Sequence, residues 1–348
     1  MATLDDIALA AGVSPSTVSR VLNNRTTLIP VGPATRQRIL AVARDLDYRP
    51  NLFAQGLKTK RSRIIGLAIR DFSNPLWGGL LEGIVDVTKE RGYHAILHNM
   101  ADEREEEQTV EMLMTQIGVD GLLLIGDFPG DRSNVQRLLT RYPVAVAVCR
   151  SLDSSVAPRV NVDDRRGIWS LLEYLHGLGH RQIGFVGLTQ PEGFADRVAA
   201  YRDFMDRHGL PVMEYLVDPR VAGDEGFPSE DELVEIGSAG LDGLLDLGRS
   251  IGALVCACDP MAMGALLAAH RAGLVVPDQL SIAGFDDAPM ARYCTPSLTT
   301  VRHPVVEMGR AAAALVIGLA EGTATRPTDV IPFPPELIVR ESTAPLCG

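Results

Sequence analysis

Ser16, Thr17, Ser19, Arg20 and Asn23 fall on one side of a short amphipathic segment whose other side is Val18, Val21 and Leu22. Hydroxyl, amide and guanidinium groups grouped this way, with no large apolar residue among them, match the base edges and phosphates of duplex DNA. Two helices must position them. Thr3 followed by Asp6 is a capping-box-like start, with Asp in place of Glu or Gln. Leu4, Ile7, Ala8 and Ala11 then share one helical face, and Gly12 supplies the left-handed residue that ends the helix. Ser14 can cap the second helix, and Pro15 fits its first turn, where no intrahelical donor is needed. The pattern predicts a helix-turn-helix. Ser16 and Arg20 are expected on base edges, Pro15 at the groove floor or on a thymine methyl, and Ser14, Thr17, Ser19 and Asn23 on phosphates.

A second set of polar residues follows the apolar runs of the remaining chain. Runs at 64–69, 94–97, 121–125, 144–148, 183–187, 251–257 and 280–285 read as buried strands. They alternate with amphipathic stretches near 76–91, 104–116, 133–140, 165–177, 194–208, 231–247 and 260–272, which read as helices. Alternation of this kind predicts parallel sheets covered on both faces, and the number of strands suits two lobes. Ligands of open parallel sheets bind beyond the carboxyl ends of the strands. Those ends carry Asp71 with Ser73 and Asn74, then Asp127, Cys149 with Arg150, Thr189, Cys258 with Asp259, and Asp286 with Asp287. Carboxylates and amides there suit a hydroxyl-rich ligand, and Trp77 could offer an aromatic face to a sugar ring or simply pack within its lobe. Segment 210–230 fits least well and is expected to be a loop with a short strand.

Composition sets limits. A chain of 348 residues with 46% apolar content exceeds one ordinary domain. No apolar run reaches membrane-spanning length and the N-terminus lacks a charged-then-apolar leader, so a cytoplasmic protein without a membrane partner is expected. The net charge of −11 conceals an asymmetry: residues 1–63 sum to +6 and the rest to −17. A basic arm on an acidic body suits DNA contact by the arm alone. Five scattered cysteines read as free thiols. Cys256 and Cys258 are two apart, yet without a nearby His or Cys pair they read as core, and neither metal nor cofactor is expected. His180-Arg181, ahead of a strand, reads as structural.

The chain resembles the lactose-repressor (LacI/GalR) family of bacterial transcription regulators. The likeness runs through the first helices, TRQRILAVARDLDYRPN at 35–51, DFSNPLWGGLLEGI at 71–84, DPMAMGAL at 259–266, VPDQLSIAGFDD at 276–287 and PSLTTV at 296–301. It implies a small all-α helix-turn-helix head at 1–50, a hinge helix and linker at 51–62, and an α/β core at 63–348. That core is expected to have two parallel-sheet lobes like those of periplasmic binding proteins. Lobe 1 is expected over about 63–161 and 293–324 and lobe 2 over about 162–292 and 325–342, with crossings near 160–163, 290–294 and 322–328. A third head helix is expected from about Ala34 to Leu46, with Ile39, Leu40, Ala43 and Leu46 inward.

The resemblance further implies a homodimeric repressor on a palindromic operator, gated by a small, sugar-like effector. Leu57 matches the hinge leucine that enters the minor groove, and an apolar wedge there would unstack one base step. Leu4 and Ala54 join the DNA-contacting set. Arg197, in RVAAY, matches the family's ligand-binding arginine, Asp286 its effector-binding aspartate, and Ser73 to Trp77 its S-N-P-aromatic stretch, with Leu76 replacing one aromatic residue. The expected effector set is Asp71, Ser73, Asn74, Trp77, Asp127, Arg150, Thr189, Arg197, Cys258, Asp259 and Asp286. Cys258 stands where many sugar-responsive members have Asn, and Cys149-Arg150 where many read D-R. The linker between Asn24 and Thr35 is about three residues longer than the family pattern. A transport-type solute-binding protein and a sugar- or nucleoside-processing enzyme are the alternatives. The basic head disfavours the first, and no nucleophile elbow, phosphate-binding glycine loop or metal motif supports the second.

Overall fold

The computed structural model describes residues 2–22, 31–48, 61–70, 72, 74–100, 103–126, 133–142, 144–148, 152, 154–190, 192–219, 228–246, 250–327 and 330–346. They divide into two units, Met1–Ser62 and Arg63–Gly348. The first contains α1 (Leu4–Ala11), α2 (Pro15–Leu22) and α3 (Pro33–Asp45). The expected capping box closes at the start of α1. Asp6 N donates to Thr3 Oγ1 at 3.2 Å, and Thr3 N donates to Asp6 Oδ2 at 2.8 Å. These bonds hold the Asp6 carboxyl below the usual range. Gly12 ends the helix at φ 63°, ψ 41°.

Ile7, Ala8, Ala11, Val18, Val21, Ile39 and Ala43 form the head's core. The expected inward set of α3 is only half right. Ile39 and Ala43 are buried, whereas Leu40 is 37% and Leu46 40% exposed. Two eight-residue helices cover only a narrow stripe of α3, and Leu40 lies one position (about 100°) round from Ile39. The expected hinge helix at 51–62 and most of the long linker fall largely outside the described residues.

The second unit is a duplicated plan. β1 (Ile64–Arg70), β2 (His94–Met100), β3 (Gly121–Ile125) and β4 (Ala145–Val148) form a parallel sheet in the order β2-β1-β3-β4. β6 (Ile183–Leu188), β7 (Met213–Val217), β8 (Ala253–Cys256) and β9 (Ser281–Ala283) repeat it as β7-β6-β8-β9. Both sheets are covered on both faces, and the pleat decides which residue serves which. Ile65, Leu67 and Ile69 of β1 meet one face's core, while Ile64 and Ala68 meet the other.

In the first lobe α4 (Trp77–Glu90) packs on α11 (Val305–Glu321), and α5 (Glu103–Glu111) packs with α6 (Ser133–Arg141). In the second, α7 (Asp164–Gly177) pairs with α8 (Glu192–Arg207), and α9 (Glu230–Asp246) with α10 (Asp259–Arg271). Tyr201 ties β6 to β7: its hydroxyl lies 2.8 Å from the Ile183 carbonyl and accepts from Met213 N at 2.9 Å. Burial pushes the Tyr201 phenol up to about 12.

Three short strands were not expected from the sequence: β5 (Val160–Val162), β10 (Thr300–Arg302) and β12 (Glu336–Ile338). Nor were β11 (Ile331–Phe333) and the long α11 (Val305–Glu321). Their pairing moves the expected lobe borders. β10 joins the second lobe, through the bridges Ala283–Thr299 and Asp286–Arg302 and its ladder to β12. β11 pairs with β5, which borders β4 of the first lobe. The crossings therefore fall at 162–164, 302–305 and 333–336, the last two about ten residues later than expected.

Each lobe contains a helix crossing that only glycine permits. A Cβ on Gly83 would overlap the Val306 carbonyl, and one on Gly309 the Leu80 carbonyl, where α4 meets α11. In the second lobe Gly237 meets the Met261 carbonyl and Gly264 the Val234 carbonyl, where α9 meets α10. Among the described residues no helix is long and apolar enough to cross a membrane.

Candidate functional site

The polar face of α2 is organised before any partner arrives. Ser14 Oγ accepts from Thr17 N at 3.3 Å as the cap, and lies 2.8 Å from Ser16 Oγ and 2.9 Å from Thr17 Oγ1. Arg20 donates to Thr17 Oγ1 at 3.2 Å, while its Nε is buried without a hydrogen-bond partner. That nitrogen is shut off from solvent, so contact with a partner falls to the guanidinium's terminal nitrogens, which donate. Ser14, Pro15 and Ser16 are exposed, Thr17, Ser19 and Arg20 partly so. Leu4 is partly buried against the head's core. Asn23, Ala54 and Leu57 lie outside the described residues.

In the second lobe, the ends of β6, β8 and β9 bring side chains from distant sequence around Arg197 of α8. Its Nε donates to Asp164 Oδ1 at 3.0 Å, one terminal nitrogen donates to the Ala257 carbonyl at 2.5 Å, and the other lies 3.1 Å from Asp286 Oδ1. The Phe285 ring lies 4.0 Å and the Phe194 ring 5.1 Å from the guanidinium carbon. Burial disfavours this charge, but Asp164 and Asp286 outweigh it and hold the guanidinium firmly protonated. The Arg197–Asp164 side chains are 7% and 2% exposed.

Asp286 is the conspicuous member. Its backbone sits at φ 112°, followed by Asp287 at φ 55°, conformations that side chains other than glycine rarely adopt. Burial raises its carboxyl, with Arg197 and His303 opposing. The contact with Arg197 is close but poorly directed, so Asp286 Oδ1 is buried without a well-formed hydrogen bond.

His303 and Asp164 are functional candidates that the sequence reading missed. His303 Nε2 lies 3.5 Å from the Arg197 terminal nitrogen, 3.6 Å from Asp164 Oδ1 and 3.7 Å from Asp286 Oδ1. Both residues sit on interlobe crossings, Asp164 on the first and His303 on the second. Only correct placement of those crossings could have exposed them.

Asp259 does not join this constellation as a free binding group. It is fully buried, and its two oxygens accept from Ala288 N and Thr300 Oγ1, both at 2.6 Å. Burial first, then Asp286, pushes its carboxyl well above the usual range. Its effector role gives way to one of holding the Asp286 loop. Cys258 is buried beside the cluster at the N-cap position of α10, without a side-chain capping bond. Thr189 follows β6 directly, with its hydroxyl buried and unpartnered.

On the first lobe, Asn74 Oδ1 accepts from Leu76 N at 3.0 Å. Trp77 is partly buried in the lobe core and donates its indole N–H to the Arg70 carbonyl at 3.2 Å, the packing alternative allowed for it. Asp71, Ser73, Asp127 and Arg150 lie outside the described residues. His180 is structural as expected, with Nε2 3.0 Å from the Ala344 carbonyl.

Burial pushes the thiols of Cys256 and Cys258 up, so neither offers a ready thiolate. In the native protein both should resist iodoacetamide at pH 8 and become labelled only on unfolding. Peptide mass mapping that found either alkylated at the rate of a free thiol would show that the site opens.

Comparison with known proteins agrees with this division. Residues 3–51 match the model of bacterial regulatory proteins of the lacI family, and residues 172–343 that of a periplasmic binding protein-like domain. The transcriptional repressor CytR of Escherichia coli K12 is 33% identical over 354 positions, covering 99% of this chain and 97% of that protein. The regulator GalR of the same organism is 32% identical, covering 99% and 96%. The lac repressor dimer bound to operator and the anti-inducer ONPF superposes with TM-score 0.82 at 25% identity, covering 99% of both chains. The regulator CelR in complex with cellobiose gives TM-score 0.67 at 26% identity, covering 98% and 100%. This chain belongs to the LacI family of bacterial regulatory proteins.

Proposed function

We propose that the protein is a cytoplasmic, homodimeric repressor that binds a palindromic DNA site and releases or tightens its hold when a small effector enters the core. The observation that carries this reading is the polar face of α2, with linked hydroxyls at Ser14, Ser16 and Thr17 and an Arg20 guanidinium oriented by its bond to Thr17 Oγ1. Ser16 and Arg20 read bases, and Ser14, Thr17, Ser19 and Asn23 hold phosphates. Leu4, Pro15, Ala54 and Leu57 complete the contact set, Leu57 as the minor-groove wedge. One head touches few base pairs, so two heads on a palindrome supply the needed specificity. Val85 and Leu97 on the first lobe, with Leu267, Val275, Met290 and Tyr293 on the second, are large apolar residues exposed in the single chain. Pairing with a second copy would give such residues something to pack against.

Arg197, Asp286, Thr189 and Cys258 of the second lobe and Asn74 and Trp77 of the first belong to the effector set, which the family resemblance extends to Asp71, Ser73, Asp127 and Arg150. The effector can change DNA affinity only by its differential binding to the two lobe arrangements, typically about 1–3 kcal/mol. The named relatives are regulators rather than enzymes, and we assign no catalytic residue.

Selection from a random duplex pool tests the reading. The parent should enrich one palindromic sequence, and Arg20→Ala should lose about 1–3 kcal/mol on it and relax preference at one base pair of each half-site. Failure to enrich any sequence would defeat the proposal.

A further inference from the structure

Arg63 opens the second unit, where the chain arrives from the linker, and it is held there by both its backbone and its side chain. Its N–H donates to Asp120 Oδ2 at 3.0 Å, and its carbonyl accepts from His94 N at 2.8 Å. Its guanidinium donates to Glu321 Oε1 at 3.1 Å and lies over the Tyr93 ring, 4.9 Å from the centroid. Tyr93 is itself buried, so that contact rests on a fixed floor. The Arg63 backbone sits at φ 58°, in the left-handed region that residues other than glycine rarely adopt. Such a conformation persists only where its surroundings over-determine it, as these contacts do. The Arg63 side chain is 46% exposed, and an ion pair that open to solvent adds little to stability. What the contacts do set is the direction in which the linker departs.

Glu321 ties that departure point to the rest of the lobe. It is the last residue of α11, which starts at Val305, just past His303 on the second interlobe crossing. Its 17 residues span about 25 Å. The glycine crossing with α4 seats α11 at backbone contact, so the helix moves with the first lobe as one piece. One rigid element therefore begins at an interlobe crossing and ends at the root of the linker. Resting on the regulatory reading above, we propose that Arg63 is a positioning residue for DNA binding. With Glu321 and Tyr93 it clamps the root of the linker to α11, and operator affinity depends on that clamp. A root already held in one direction lowers the ordering entropy that each hinge loses when it meets DNA.

Full-length parent and variants are titrated by fluorescence anisotropy with the palindromic duplex that the parent enriches from the random pool. Urea unfolding of the same proteins is followed in parallel. Arg63→Gly, which accepts φ 58° without strain, and Glu321→Gln should each weaken operator binding about 3- to 30-fold. Their urea midpoints should stay at that of the parent. Arg63→Lys should recover most of the affinity, since an ammonium keeps the charge toward Glu321 and Tyr93. Arg63→Gly with Glu321→Gln should bind no more weakly than the worse of the two alone, because the pair acts as a unit. Arg202→Gln removes the exposed pair with Glu214 on the second lobe and should bind like the parent. Parent-like affinity in either Arg63→Gly or Glu321→Gln overturns the proposal. So does an equal loss in Arg202→Gln, or a loss that follows a lowered urea midpoint. A parent that enriches no sequence defeats the regulatory reading and this inference with it, whereas unchanged variants on a selected operator defeat this inference alone.

Discussion

Arg197→Met is expected to destabilise the 63–348 unit by about 3–5 kcal/mol, seen as a lower urea midpoint with little change in slope. The substitution keeps much of the side chain's bulk between Phe194 and Phe285 but leaves Asp164 and Asp286 buried without their shared cation. An uncompensated buried carboxylate costs far more than the pair is worth in stability, which is why the single change is severe. Adding Asp164→Asn should restore part of the loss, since the two sites are in contact and their effects are not additive. Arg197→Lys should fall between parent and Met, because an ammonium keeps the charge but cannot fork toward Asp164, Ala257 and Asp286 together. A midpoint for Arg197→Met within 1 kcal/mol of the parent would mean that the carboxylates find other partners.

Gly237→Ala should cost about 3 kcal/mol or more, although alanine ordinarily favours a helix. The added carbon would overlap the Met261 carbonyl of α10, and backbone cannot step aside as a flexible side chain can. The control is Gly78→Ala near the start of α4, where nothing lies within 4 Å of the new atom. That change should be neutral or stabilise by up to about 1 kcal/mol. Equal melting temperatures for the two variants would refute the close-crossing account.

The head was legible because its signals are local. Thr3, Asp6, Gly12 and Ser14 each act within four residues, and the structure places them as the spacing requires. The two parallel sheets were legible from apolar runs that match β1, β3, β4 and β6 nearly residue for residue. The edge strands were not. β5, β10, β11 and β12 are only three residues each, too short for any period to register. Without them the crossings slid along the sequence, and His303 went unnoticed although Arg197 and Asp286 had been singled out. α11 was overlooked for a different reason. Its Ala-rich sequence is apolar on most sides, although Met308, Ala312 and Val316 do recur every four residues and Gly322 ends it at φ 71°. Asp259 illustrates the opposite error. A strand-end aspartate looks the same in sequence whether it faces a ligand or fastens a loop, and only its two filled oxygens separate the cases.

The three segments that pass between the lobes are fastened to one another where they pass. Asp164 and His303 meet at Arg197, Asp163 N donates to the Phe333 carbonyl at 3.1 Å, and Arg302 reaches Glu336 at 3.0 Å. A bundle gathered in this way serves as a single fulcrum. Any rotation of one lobe on the other would have to turn about this joint, where Asp164 and His303 meet Arg197. Substitutions that loosen the fulcrum should blur the transmitted signal without blunting either end's grip.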